Sequence, residues 1–75
     1  MKAGGHVIVF YASLVYKEYT PEETIHPHDL PDGVYIHVVN SKFSDMKNTW
    51  YLKDLTPVLI ADVPKELLLL KLLMT

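Results

Sequence analysis

The chain has 75 residues and contains no cysteine and no arginine. Without cysteine there is no disulfide to staple a small fold and no thiolate zinc site. That absence fits a reducing compartment, and a cytoplasmic location is the expectation. Without arginine the chain lacks the planar fork that best matches phosphates and guanine edges. All seven basic residues are lysine, against nine carboxylates, for a formal net charge of −2. Nucleic-acid binders usually carry a basic footprint, so direct DNA or RNA binding is not the leading expectation. Long apolar runs are missing too. The C-terminal runs, residues 67–70 and 72–74, are split by Lys71, whereas a membrane span needs roughly 20 residues. The apolar stretch at residues 7–11 is shorter than a secretory h-region, so neither a signal peptide nor a membrane partner is expected.

What charge there is lies unevenly. Residues 17–32 set one lysine against five carboxylates, Glu22 and Glu23 among them, a net of −4. Residues 42–53 set three lysines against Asp45 alone, a net of +2. Ordinary solvation would suffice to explain this. A polar rim around a protein contact is the sharper reading.

A chain of this length allows one domain with a modest core. Residues 1–5 read as a flexible N-terminus. Residues 7–11 predict a first strand, with Val7, Val9 and Tyr11 on one face and Ile8 and Phe10 on the other. Residues 14–19 fit a second short strand or the rising arm of a loop. Thr20-Pro21-Glu22-Glu23 has the form of a helix start, but no apolar periodicity follows. Pro27 and Pro31 allow one turn at most. Residues 20–32 therefore read as a long, proline-stiffened loop, a kind that is often functional. Asp32-Gly33 marks a turn. Residues 34–39 then predict a central strand, with Val34, Ile36 and Val38 on one face and Tyr35, His37 and Val39 on the other. A turn at Asn40-Ser41-Lys42, a short strand near Phe43, a strand over 49–52, a tight turn over 54–56 and a last strand over 58–60 complete the β region. Residues 33–58 thus form a central hairpin and a closing corner.

Residues 61–75 predict a leucine-rich helix of about ten residues. Asp62 or Val63 would cap it, Pro64 sits early, and Glu66 suits its positive N-terminal end. So short a helix must dock on something. Leu67, Leu70 and Met74 share a face. Leu68, Leu69, Leu72 and Leu73 point elsewhere, leaving the helix apolar nearly all round.

Motifs for chemistry are scarce. His26-Pro27-His28-Asp29 offers one His-x-His pair, with His6 and His37 as further candidates, but a zinc site wants three or four ligands at defined spacing. Ser13, Ser41 and Ser44 lack a nucleophile-elbow setting. Glu22 and Glu23 are adjacent and do not face each other, and Gly4-Gly5 lacks a phosphate-loop context. A chain this small is also expected to fall short of a pocket of roughly 300 Å3. No catalytic residue, metal or cofactor is assigned, and no enzyme activity is expected. Trp50 and Tyr51 are candidate anchors, because alternation along a strand would turn one of them outward. The same residue could stack on bases if the lysine-bearing hairpin bound nucleic acid. The tail is the stronger signal. Four wet leucines would be an aggregation liability, so a partner is expected for this helix, either a second copy or another protein. The candidate partner-binding residues are Glu22, Glu23, Trp50, Tyr51, Leu68, Leu69, Leu72 and Leu73.

The order strand, long loop, strand, turn, strand, short turn, strand resembles an SH3-like barrel. Residues 7–11, 34–39, 49–52 and the closing Lys53-Asp54-Leu55-Thr56-Pro57-Val58 carry the likeness. A strand followed by Asp/Glu-Leu-Thr-Pro is similar to endings in small SH3-like proteins of phages and mobile elements. The chain lacks the Ala-Leu-Tyr-Asp-Tyr start and the Trp-Trp pair of eukaryotic signalling SH3 domains, so their binding residues are not carried over. The resemblance implies a mainly β fold, with a small barrel over residues 6–60 followed by the helix. It also implies a non-enzymatic protein-binding module that regulates a larger partner, in the manner of phage inhibitors that bind host RNA polymerase and act on transcription. The alternatives are a nucleic-acid-binding domain of SH3-like or KOW type and a structural protein that homodimerises through its helix.

Overall fold

The computed structural model describes residues 2–39 and 48–73. The predicted turn at 40–42, the short strand near Phe43 and the placement of Met74 lie outside the described residues. The remainder is one antiparallel sheet with a cover on each face.

The first strand, β1 (His6–Tyr11), turns directly into β2 (Leu14–Tyr19). Tyr11 pairs with Leu14, so only Ala12 and Ser13 make the turn, with φ of 52° and 62°. Positive φ at both central residues is the type I′ geometry, whose hand matches the twist of the flanking strands. Asn-Gly usually supplies it. Here two residues with a Cβ do so, each at a cost of about 1 kcal/mol. The hairpin also carries a bulge: Val9 pairs with Lys17 and Phe10 with Val15, which leaves Tyr16 as the extra residue.

The central strand, β3 (Tyr35–Val39), runs between β1 and β4 (Trp50–Leu52), and β5 (Pro57–Val58) lies outside β4. The strand order is β2-β1-β3-β4-β5. Among the described residues no pairing joins β5 to β2, so the architecture is an open five-stranded sheet where a closed barrel was the expectation. The last strand is shorter and earlier than residues 58–60. Pro57 pairs with Tyr51 on the outer edge, where its missing N–H is tolerated. Residues 59 and 60 leave the sheet for a 3-10 turn, Ile60–Asp62. The 54–56 turn forms as predicted: the Leu55 and Leu52 amides donate to the Leu52 and Thr56 carbonyls, and the Asp54 carboxylate accepts the Thr56 N–H at 3.1 Å.

Both faces of the sheet are covered. On one, Val7, Val9, Ile36, Val38 and Tyr51 pack with Ala3, Ile25, Leu30 and Val34, residues supplied by the N-terminus and the long loop. On the other, Ile8, Phe10 and Trp50 pack under Val63 and Leu67. The alternation predicted for β1 and β3 is therefore the alternation observed. The loop forms no helix at its Thr20 start, yet the capping contacts are made: the Glu23 carboxylate accepts the Thr20 N–H at 3.0 Å and its hydroxyl at 3.1 Å. Its one helical piece is a 3-10 turn at Pro27–Asp29. The expected flexible N-terminus is tied to this loop instead. The Ala3 amide donates to the Glu23 carbonyl at 2.9 Å, the Gly4 amide donates to the Pro21 carbonyl at 3.1 Å, and Ala3 is fully buried.

The C-terminal helix, α1 (Lys65–Leu73), begins just after Pro64, whose carbonyl accepts the Leu67 and Leu68 amides. Neither expected cap does that work: Asp62 belongs to the 3-10 turn and Val63 is buried beneath the helix. Among the described residues no helix is long and apolar enough to cross a membrane.

The strained turn gives a direct check. Changing Ala12→Asn together with Ser13→Gly should raise stability by about 1 kcal/mol, since both residues tolerate positive φ. Urea unfolding followed through the single tryptophan would show a higher midpoint with an unchanged slope; a lower midpoint would contradict the type I′ assignment.

Candidate functional site

The predicted contact residues divide into three settings. The first is α1. Leu67 is 4% exposed, and Leu68 and Leu70 pack partly against the same cluster. Leu68 thus faces the sheet and belongs to the dock of the helix, contrary to its place among the outward candidates. Leu69, Leu72 and Leu73 are 63%, 64% and 83% exposed. Their i, i+3, i+4 spacing puts them on one side of the helix, so the apolar surface is a stripe.

The second setting is the Trp50-Tyr51 pair. Strand alternation does send them to opposite faces, but neither faces water. Trp50 lies beneath α1, 5.4 Å from the Phe10 ring, and Tyr51 lies in the cluster under the long loop. Both are buried. The expectation of an outward aromatic assumed one solvated sheet face, and this sheet has none at β4.

The third setting is the long loop. Glu22 is exposed and sits 3.8 Å from the Lys2 ammonium. Glu23 is exposed but committed to Thr20, whose amide and hydroxyl hold its carboxyl below the usual range. The loop also forms one wall of a feature that the size argument did not anticipate, an open groove of about 550 Å3. Pro27, Val34, Tyr35 and Leu52 supply its apolar surface. Its rim carries Asp32, paired with the Lys53 ammonium at 2.9 Å, and Asp54. Gly33, at φ +86°, opens into the groove, for a Cβ there would meet nothing within 4 Å.

Two further features lie outside the predicted contact residues. The β1–β2 hairpin exposes Tyr11, Leu14, Val15 and Tyr16, with the two tyrosine rings edge to face at 6.1 Å. No Asn-Gly or Asp-Gly signal marked that turn. The other is His37, which lies on the helix side of β3 and is 8% exposed. Its ring sits 4.7 Å from that of Trp50, and its Nδ1 has no hydrogen-bond partner. Burial lowers its pKa to about 4, and the positive charges of Lys71 and His6 act in the same direction. As for the other histidines, His26 and His28 are exposed, and no three His, Asp or Glu side chains gather into a metal-ligating group among the described residues.

Compared with known proteins, the chain matches no family model, no curated protein and no solved structure.

The buried histidine makes stability depend on pH. Unfolded, His37 binds a proton below its ordinary value of 6.5; folded, it does so only near 4. Between those values the unfolded chain holds more protons, so stability falls as pH falls, by about 1.4 kcal/mol per unit and about 3 kcal/mol in all. Above pH 6.5 this group contributes no slope. Urea unfolding of wild type and His37→Phe at pH 7.5, 5.5 and 4.5 checks this. The variant should lose most of the acid sensitivity, and equal slopes in both proteins would refute the assignment to His37.

Proposed function

We propose that the protein is a non-enzymatic binding module that attaches to a larger protein through the outer side of α1 and regulates it by occupying its surface. The observation that carries this reading is the stripe of Leu69, Leu72 and Leu73 on a helix whose other side is already docked. Burying a leucine contributes about 1.5–3 kcal/mol, so covering three is a sufficient core for a contact. A standard interface buries roughly 800 Å2 per partner, more than three leucines provide, so the partner reaches beyond the helix. The SH3-like, phage-type resemblance favours a host RNA polymerase as that partner, transcription as the regulated process and the cytoplasm as the place. The mainly antiparallel β architecture, with its long loop before the central strand, supports the likeness. The nucleic-acid alternative loses its stacking residues, since Trp50 and Tyr51 are both buried. A homodimer through the stripe is the remaining alternative.

The test is a triple change, Leu69→Lys, Leu72→Lys and Leu73→Lys. Capture of RNA polymerase from a bacterial lysate should fall at least tenfold, while stability changes by no more than about 0.5 kcal/mol, as for exposed sites generally. Leu67→Ala, in the dock, should instead cost about 2–3 kcal/mol. Undiminished capture by the triple variant sinks the role of the helix. A wild-type dimer in sedimentation that the triple change dissolves, with no polymerase captured, would favour self-association.

A further inference from the structure

The groove between the long loop and the β4–β5 turn joins an apolar surface to an unbalanced rim. Lys53 is its one lysine and is occupied by Asp32 at 2.9 Å. Asp54 has no cationic partner among the described residues, and its carboxyl accepts the Thr56 N–H. The Thr56 hydroxyl and amide hold that carboxyl below the usual range, so it stays charged. The net charge of the groove is therefore −1 with His28 neutral. Beside the rim, Leu52 is 40% exposed and Tyr35 is half-buried. The adjoining 3-10 turn adds exposed Asp29.

We infer that this groove binds an extended peptide segment of the protein partner in which an apolar side chain, seated against Tyr35 and Leu52, is followed by a lysine or arginine paired with Asp54. This rests on the binding-module reading and names the chemistry of a second contact, distinct from the stripe on α1. Charge complementarity selects the occupant: a carboxylate with no counter-ion among the described residues, at an apolar edge, favours a cation with an apolar neighbour. The shape selects a peptide over a free organic ammonium. Small ligands are held by sites that enclose most of their surface, whereas this groove is open and a chain can lie across it, held at two points.

Full-length, 15N-labelled protein at pH 7.5 is titrated with the capped peptide acetyl-Gly-Leu-Arg-Gly-amide. Saturable amide shifts are expected at Gly33, Leu52, Lys53 and Asp54. Replacing the peptide's arginine by glutamate, or its leucine by glycine, should weaken binding at least tenfold. Asp54→Asn should weaken it about tenfold as well, because asparagine keeps an oxygen to accept the Thr56 N–H and removes only the charge. Leu52→Ser should weaken it without any change in charge. Shifts away from these amides, equal binding of the glutamate peptide, or equal binding by Asp54→Asn would each overturn the inference. So would isoamylammonium chloride shifting the same amides at the same concentration, since that would make the ligand a free ammonium. These outcomes are independent of the stripe: polymerase capture lost on the triple helix change, with no peptide binding, removes the groove alone, and peptide binding with no effect of the helix change removes the role of the helix alone.

Discussion

A sheet whose central strands are apolar on both faces must be covered twice. In this chain Val7 and Val9 of β1 and Ile36 and Val38 of β3 point one way, and Ile8 and Phe10 point the other, all at or near zero exposure. A domain this small has little chain to spare for two covers. The long loop supplies one by sinking Ile25 and Leu30 onto the first face, and α1 supplies the other through Val63 and Leu67. Much else follows from that division. The N-terminal residues are pinned to the loop because the loop is a core layer. The proline content of the loop limits the entropy lost in ordering it. The helix, short enough to be marginal in water, is held by the sheet beneath it.

Alternation along β1 and β3 made the faces readable from the sequence, and the helix and the 54–56 turn could be read from proline, aspartate and leucine placement. The misses share a cause: each needed knowledge of what lies on the other side of a residue. Trp50 and Tyr51 were assigned to opposite faces correctly, but the second cover made both of them interior. Leu68 looks like an outward residue on a helical wheel until the docking angle fixes which side faces the sheet. The β1–β2 hairpin was open to two readings because Ala12-Ser13 adopts a conformation that its side chains disfavour. In the candidate site, the outer leucines were foreseeable as apolar excess. The groove was not, because it is made by residues 27, 34, 52 and 54, which only the sheet brings together.

The surface that remains is asymmetric in chemistry. The outer side of α1 is apolar and carries no pairing information beyond the spacing of three leucines. The groove is the reverse, a small apolar area edged by fixed charge. Apolar stripes supply affinity, and charged rims supply orientation and discrimination. One partner engaging both would be held by the first and positioned by the second. Strand β2, with its bulge at Tyr16 and the charges of Lys17 and Glu18, presents an edge poorly suited to adding a further strand. In the proposed binding, side-chain contacts rather than extension of β2 would therefore be the means of attachment.

The helix is the element on which these effects meet. Its inner side covers His37, a neutral imidazole with an unpaired Nδ1 beside Trp50, and its outer side is the proposed contact. Acid charges the histidine and weakens the fold that the helix completes, by about 3 kcal/mol at most. A partner that binds only the docked helix strengthens it, by about 2.7 kcal/mol when present at a hundred times its dissociation constant. The two quantities are of the same size and opposite sign. Under the proposed binding, loosening the dock would lower the population able to bind, and a bound partner would offset the acid destabilisation. The histidine is buried on the sheet face that the helix covers, and the helix is held by the apolar residues of that face.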